Sequence, residues 1–424
     1  MTARRVRPLL EPPDADIALP GSKSITNRAL VAAALATGTS ELEGALVADD
    51  TGAMVDCLRR LGVGVDLDEA GARAVVQGGG GRFSPGPLDL DARLAATVAR
   101  FLPPAVTAGE GTYRFDGSAQ LRSRPMGPMI DALRQLGAQV HEEGAPGHLP
   151  ISVAARRAAG GTVRLRGEVS SQFASGLLLA GPVMHDGLRV ELEGPLVSRP
   201  YLDMTVAVMA AFGARVDEEM PGAFVVMPTG YRAAPYGIEP DASAASYFFA
   251  AAAICGGRVG VPGLGRSSLQ GDARFVDVLE RMGATVSRDE NATVVRGGAL
   301  HGVEVDLSDL SDTAPTLAVV AAFADSPTRV TGVGFIRRKE TDRIAAVVAE
   351  LRRCGVNANE EDDGFVVHPS PVRPARVETY GDHRMAMAFA LLGLRVEGIE
   401  IAGPDCVAKT FPGFWTALDS LGDE

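Results

Sequence analysis

The sequence predicts an α/β fold made of six copies of one unit. Three observations carry that prediction. A helical stretch ending in a hydrophobic residue plus Gly recurs as Leu61-Gly62, Leu136-Gly137, Phe212-Gly213, Met282-Gly283, Cys354-Gly355 and Leu421-Gly422. After the first five comes a short Val-bearing strand with an acidic turn (VGVDLDE, AQVHEEG, ARVDEEM, ATVSRDE, VNANEED), then a second strand such as ARAVVQG, AFVVMP, ATVVRG or GFVVHP. The spacing of 67 to 76 residues is too long for a solenoid repeat and fits a duplicated α/β unit.

Each unit reads as helix, strand, helix, then two strands. The first helices are NRALVAAALATG, TVARFLPPAVTAG, QFASGLLLAGPVM, ASYFFAAAAICGG, TLAVVAAFA and RMAMAFALLGL. Their nearly continuous apolar character implies helices buried on most sides. The second helices, such as PMIDALRQLG, RFVDVLERMG and DRIAAVVAELRRCG, are amphipathic, with one face for a sheet and one for water. Strands such as RVELEG, RVGVPG and TRVTGVG lie between them and end in Gly turns. The expected result is buried helices inside, with sheets and amphipathic helices outside.

The six units group as three plus three. The Pro/Gly-rich stretch PTGYRAAPYGIEPD marks the break. The start of the chain, RVRPLLEPPDADIALPG, lacks the first strands of a full unit, and the last unit ends at Leu421-Gly422 without its final hairpin. A strand from the start is therefore expected to pair with the last unit. That gives one domain of residues 1–19 plus 240–424, built from both termini, and another of residues 20–239.

Composition sets the bounds. A chain of 424 residues exceeds one ordinary core. With 46% hydrophobic and 22% charged residues it has the composition of a soluble globular protein. Apolar runs such as ALVAAALATG stay below the ~20 residues that cross a bilayer. The N-terminal MTARRVRPLLEPPDAD places Glu, Asp and Pro where a signal peptide needs an apolar core. Cys57, Cys255, Cys354 and Cys406 are far apart and form no CxxC pair, so a disulfide framework or zinc site is not expected and a cytoplasmic location is. A net charge of −12 argues against nucleic acid, which needs broad basic surfaces. An anionic ligand must then be caught by a local cluster of Arg and Lys. GVPGLG near Gly265 and the GGGG run at Gly78 lack a P-loop Lys and read as turns.

Helix N-termini are anion sites, because their N–H groups are unpaired and their dipole end is positive. The first helix opens with PGSKSITNR. Ser22, Ser24 and Thr26 would be explained as caps, but Lys23 and Arg28 oppose the dipole unless an anion is present. SAQLRSRPMG puts Arg124 before Pro125, a residue suited to the first helical turn. GEVSSQF brings Ser170, Ser171 and Gln172 to a third helix start, and LVSRPY follows with Ser198. In LSDTAPT, Asp312 taken alone is a good N-cap. IRRKETDR packs Lys339, Glu340 and Arg343 into a short run, a pattern that is ordinarily a solvated face. YGDHRMAMAFALLG sets Asp382 and Arg384 against a wholly apolar helix, and CVAKTFPGFW adds Lys409. These cations are about as many as two phosphorylated or carboxylated ligands need. Asp312 and Glu340 are the acid/base candidates, while Asp382 reads as a cap paired with its neighbours.

In this order, LPGSKSITNRAL, SRPMGPMIDAL, GEVSSQF, LVSRPYLDMT, DASAASYF, GDARFVDVLERMGA, KETDR, GDHRMAM and AKTFPGF closely resemble the enolpyruvyl transferases over nearly the whole chain. The resemblance implies a two-domain inside-out α/β barrel, each domain three βαβαββ units, with the active site in the cleft between domains. It implies transfer of the enolpyruvyl group of phosphoenolpyruvate to the 5-hydroxyl of shikimate 3-phosphate through a tetrahedral ketal. No metal or organic cofactor is implied, and a monomer is expected. Shikimate 3-phosphate would be held by Lys23, Ser24, Arg28, Ser170, Ser171, Gln172 and Ser198, with Asp312 and Lys339 at the ring hydroxyls. Phosphoenolpyruvate would be held by Lys23, Arg124, Gln172, Arg343, Arg384 and Lys409, against Ala96. Asp312 would be the base, and Glu340 or Lys23 the proton donor to the methylene carbon.

Two positions depart from the family pattern. Its Asn-Ala-Gly-Thr stretch reads Leu94-Ala95-Ala96-Thr97 here. The methyl of Ala96 is expected to hinder the longer inhibitor glyphosate while admitting phosphoenolpyruvate. Phe335 stands where many members have Asn at the shikimate phosphate. Two alternatives accompany this reading: the sister reaction on UDP-N-acetylglucosamine, and an anion-binding relative without catalysis. The first is opposed by GSKS in place of a GxKN-type motif and by the absence of Cys between Phe83 and Arg124. The second is opposed by the intact Lys23, Asp312, Glu340 and Lys409.

Overall fold

The computed structural model describes residues 2–167, 170–194 and 196–422. Glu168 and Val169 of the GEVSSQF motif therefore lie outside the described residues. The chain divides into two compact units, Met1–Pro20 with Pro240–Glu424, and Gly21–Glu239. It is a mixed α/β protein whose strands form several small mixed sheets.

In the unit Gly21–Glu239, helices Lys23–Leu35, Ala96–Thr107 and Ser171–Ala180 are buried along nearly their whole lengths. Their Ala-, Val- and Leu-rich sequences leave no polar stripe to face water, so the helices pack on one another. At Gly176 a Cβ would come within 2.1 Å of the carbonyl oxygen of Arg100. Pro103 and Pro104 sit inside that helix, which removes the N–H groups that would bond the carbonyls of Ala99 and Arg100. Glycine lets the neighbouring helix close on this stretch.

Against these helices lie sheets of one pattern, a parallel pair followed by an antiparallel hairpin. Leu88–Asp91 runs parallel to Glu110–Asp116, which pairs with Ile151–Arg156 and then Gln139–Glu142. Gly161–Arg166 stands parallel to Leu188–Glu193, followed by Ala223–Val226 and Val216–Met220. The third sheet, Ala36–Glu43 with Arg73–Gly79 and Gly64–Asp68, takes its parallel partners Tyr231–Arg232 and Pro235–Gly237 from the far end of the unit. One expectation is corrected here. Gly78 and Gly79 are not turn residues but the end of strand Arg73–Gly79. A Cβ on Gly78 would lie 2.2 Å from the carbonyl oxygen of Ala33, so glycine is required there by the close approach of the buried helix.

The other unit repeats the plan around helices Ala242–Cys255, Ala314–Ala321 and His383–Gly393. Asp14–Asp16 supplies the parallel partner of Arg258–Pro262. Glu304–Asp306 runs parallel to Thr328–Thr331, which continues into Gly364–Val367 and Ala358–Glu361. In the last sheet Arg376–Val377 lies parallel to Glu400–Ala402, and Ala3–Arg5 takes the place of the missing hairpin by pairing antiparallel with Glu400–Ala402. Each unit has its own hydrophobic core, and no residue belongs to both. Among the described residues no helix is long and apolar enough to cross a membrane.

Candidate active site

In the unit Gly21–Glu239 the polar residues gather at the starts of the buried helices. Ser22 caps the first, accepting from the Ile25 N–H at 3.5 Å. Lys23 follows, its Nζ 3.6 Å from the buried Asp50 carboxylate. Arg28, one turn in, is only 1% exposed. It donates from Nε to Thr205 Oγ1 at 2.7 Å, from Nη1 to the Ser24 carbonyl at 2.8 Å, and from Nη2 to Ser175 Oγ and the Tyr201 carbonyl at 3.2 Å. Its guanidinium also lies over the rings of Phe101 and Tyr201. None of these partners is a carboxylate, and burial lowers its pKa to about 10, against a smaller opposing effect of Tyr201.

Ser170 caps helix Ser171–Ala180 by accepting from Gln172 N–H at 3.3 Å. The Gln172 side chain accepts from Arg100 Nη1 at 2.6 Å, and Arg100 is itself stacked 5.0 Å over Phe173. Ala96 is the first residue of its helix and buried, beside Thr97, whose hydroxyl accepts from Asn27 Nδ2 at 3.0 Å. Arg124 is buried in the loop before Pro125. Ser198, also buried, precedes helix Arg199–Ala211 at φ 57°, a left-handed conformation rare for a residue with a side chain and frequent at functional sites. Arg199 faces away into ion pairs with Asp203 and Glu218.

The other unit holds a dense ionic network. Arg343, 1% exposed, binds three carboxylates: Asp312 Oδ1 at 2.9 Å, Glu340 Oε2 at 2.7 Å and Asp382 Oδ2 at 2.8 Å. Burial pulls its pKa down, but Asp382, Glu340 and Asp312 together outweigh this and hold it above the ordinary arginine value. Asp312 is bound a second time, by Arg384 Nη2 at 2.6 Å, with Lys339 Nζ 4.0 Å away. Glu340 has Lys409 Nζ at 3.6 Å. Asp382 also caps helix His383–Gly393, accepting from Arg384 N–H at 2.9 Å. Asp342 caps Arg343–Arg353 in the same way, through Ala345 N–H at 3.0 Å.

Such a network cannot be a solvated face. Isolated burial of a carboxylate costs several kcal/mol, and here carboxylates and cations offset one another. Asp312 does not cap a helix. It lies in the 3₁₀ turn Ser311–Thr313, and helix Ala314–Ala321 has no side-chain cap. Its oxygens are directed instead to Arg343 and Arg384. Phe335 lies under Lys339, whose Nζ is 5.8 Å from the ring centroid.

Some partners escaped the sequence reading. Asp50 and Thr205 lie far along the chain from the residues they serve. Arg100 carried a signal, as the one charge in the apolar run TVARFLPPAV. Ser243 accepts from Arg384 Nη2 at 3.4 Å and donates in a short hydrogen bond to Asp272 Oδ2. Tyr247 accepts from Arg384 Nη1 at 3.5 Å, and burial pushes its phenol up to about 12 despite the opposing effect of Arg384.

The comparisons with known proteins agree on one family. A family model described as EPSP synthase (3-phosphoshikimate 1-carboxyvinyltransferase) matches residues 11–418. The 3-phosphoshikimate 1-carboxyvinyltransferase of Trichormus variabilis is 46% identical over 410 residues, 96% of each chain. That of Methanoculleus marisnigri is 42% identical over 414 residues, 97% of each chain. The EPSP synthase structure from Acinetobacter baumannii superposes with a TM-score of 0.84 at 28% identity, covering 99% of this chain and 98% of that one. The chain belongs to the EPSP synthase (3-phosphoshikimate 1-carboxyvinyltransferase) family.

Proposed function

We propose that the chain transfers the enolpyruvyl group of phosphoenolpyruvate to the 5-hydroxyl of shikimate 3-phosphate, releasing inorganic phosphate, in the shikimate pathway to chorismate and the aromatic amino acids. Asp312 takes the 5-hydroxyl proton and the oxygen attacks C2 of phosphoenolpyruvate. C3 receives a proton from Glu340 or Lys23, giving a tetrahedral ketal. Loss of a C3 proton and departure of phosphate from C2 then regenerate the double bond.

The observation that carries this reading is Asp312 held between Arg343 and Arg384. A carboxylate so paired is a weak base. Phosphoenolpyruvate brings a carboxylate that competes for the same two guanidiniums, so its arrival frees Asp312 to accept a proton. Lys409 beside Glu340 supplies positive charge for the leaving phosphate, as preorganised electrostatics requires.

Ser24, Arg28, Ser170, Ser171, Gln172 and Ser198 are assigned to shikimate 3-phosphate, together with Lys23 and Lys339. Lys23, Arg124 and Gln172 are assigned to phosphoenolpyruvate along with Arg343, Arg384 and Lys409, and Ala96 borders it. These contacts fall on both units, so turnover requires both. We read each unit as an inside-out barrel, supported by its three buried helices, and the chain as a monomer located in the cytoplasm, the location supported by its cysteine spacing.

The test is phosphate release from phosphoenolpyruvate, with and without shikimate 3-phosphate, in EDTA, repeated with Asp312→Ala. Release should need shikimate 3-phosphate, ignore EDTA and fall about 10²–10⁴-fold in the variant, the usual range for loss of a general base. Release only with UDP-N-acetylglucosamine would sink the assignment.

A further inference from the structure

Asp272 and Ser243 have no place in the mechanism above, yet they stand directly behind Arg384. Asp272 lies in the turn Gly271–Arg274 and is 5% exposed. One of its oxygens accepts the Ser243 hydroxyl proton, and the other, Oδ1, is buried with no hydrogen-bond partner among the described residues. Ser243 has a single proton. Since that proton goes to Asp272, its lone pairs are left to face the guanidinium of Arg384, which donates at 3.4 Å. The same Nη2 donates to Asp312 at 2.6 Å. A directed chain thus runs from Arg384 through Ser243 to Asp272, and its guanidinium end is the one that grips Asp312.

We propose that Asp272 and Ser243 form a positioning pair that aims Arg384 at the carboxylate of phosphoenolpyruvate. This rests on the assignment of Arg384 to that substrate. The surroundings of Asp272 give the pair a pH signature. Burial first, then repulsion by Asp312, raises the Asp272 pKa to about 7, with Arg384 and the Ser243 bond opposing and Asp241 adding to the rise. On the following helix, Asp277 is engaged with Arg288, and Arg274 pairs with Asp309. As pH rises through 7, Asp272 gains a negative charge behind Arg384 that competes with the incoming carboxylate.

The experiment compares Ser243→Ala, Asp272→Asn and Arg384→Ala with the parent enzyme, with thermal unfolding to confirm that each is folded. Ser243→Ala should raise the KM for phosphoenolpyruvate about five-fold, leaving kcat and the KM for shikimate 3-phosphate within about two-fold. Asp272→Asn keeps an acceptor for Ser243 and loses the titration. The ratio of parent to Asp272→Asn KM for phosphoenolpyruvate, in which the substrate's own titration cancels, should climb between pH 6 and 8. The pair is overturned if Arg384→Ala raises that KM while Ser243→Ala does not and the ratio stays flat. It is equally overturned if both substrates' KM values and kcat shift together. An Arg384→Ala enzyme with unchanged KM for phosphoenolpyruvate would instead bring down the substrate assignment, and this proposal with it.

Discussion

Arg343 shows how much depends on single residues here. It binds Asp312, Glu340 and Asp382 at once, and Asp382 is fully buried. Removing one partner of a buried ionic network leaves uncompensated charge, at a cost of about 3–5 kcal/mol. Arg343→Ala should therefore lose roughly that much stability in urea unfolding at pH 7. A variant as stable in urea as the parent would contradict this. Ala96 carries a second prediction at this scale. One methylene in a pocket is worth roughly 10- to 200-fold in discrimination, so Ala96→Gly should tighten glyphosate inhibition by about that factor while the KM for phosphoenolpyruvate moves little. Equal inhibition of the two proteins, measured against phosphoenolpyruvate, would dismiss the methyl as the cause. Arg343 and its carboxylate partners were legible in sequence as candidates because their charges sit beside apolar helices, whereas Ala96 was singled out only by the family resemblance. Their partners were not. Nothing local in the sequence announces that Thr205 supports Arg28, or that Asp272 stands behind Arg384, since these pairings are made by the fold.

At the scale of elements, the buried helices couple packing to the site. Helix Ser171–Ala180 meets Ala96–Thr107 at Gly176, where an added methyl would come within 2.1 Å of the Arg100 carbonyl oxygen. Arg100 in turn holds Gln172 at 2.6 Å. Gly176→Ala must push the two helices apart, and overpacking of this kind costs about 1–3 kcal/mol. The shift should also displace Gln172, so urea unfolding should show the stability loss and steady-state kinetics a higher KM for phosphoenolpyruvate. Lost stability with unchanged kinetics would show that the helix contact does not position Gln172. The helices themselves could be read from sequence, because continuous apolar composition has one structural meaning in a chain with no membrane-length run. The strands could be read as hairpins from their Gly and acidic turns. What could not be read was which glycines turn and which merely yield space. Gly78 read as a turn residue, and it is a strand residue pressed against the Ala33 carbonyl. Spacing along the chain does not record such a contact.

For the whole molecule, the consequential feature is the order in which the chain builds its two units. Unit Gly21–Glu239 is one continuous segment, whereas the other joins Met1–Pro20 to Pro240–Glu424. The first segment is short but supplies strands to two sheets: Asp14–Asp16 beside Arg258–Pro262, and Ala3–Arg5 beside Glu400–Ala402. It also places Val6 and Ile17 in that unit's core. Without it, two sheets would expose unpaired strand edges and the core would open at both sites. The two cores share no residue, so the halves should differ when separated. A fragment of residues 21–239 is expected to unfold cooperatively in urea and show dispersed amide resonances. A fragment of residues 240–424 should lack both properties, and adding a synthetic peptide of residues 1–20 should restore them with saturable dependence on peptide concentration, since whatever binds only the folded state stabilises it by mass action. Neither fragment should release phosphate from phosphoenolpyruvate alone, because the assigned contacts come from both. If residues 240–424 folded cooperatively without the peptide, the N-terminal strands would be edge decoration and not part of the unit's core.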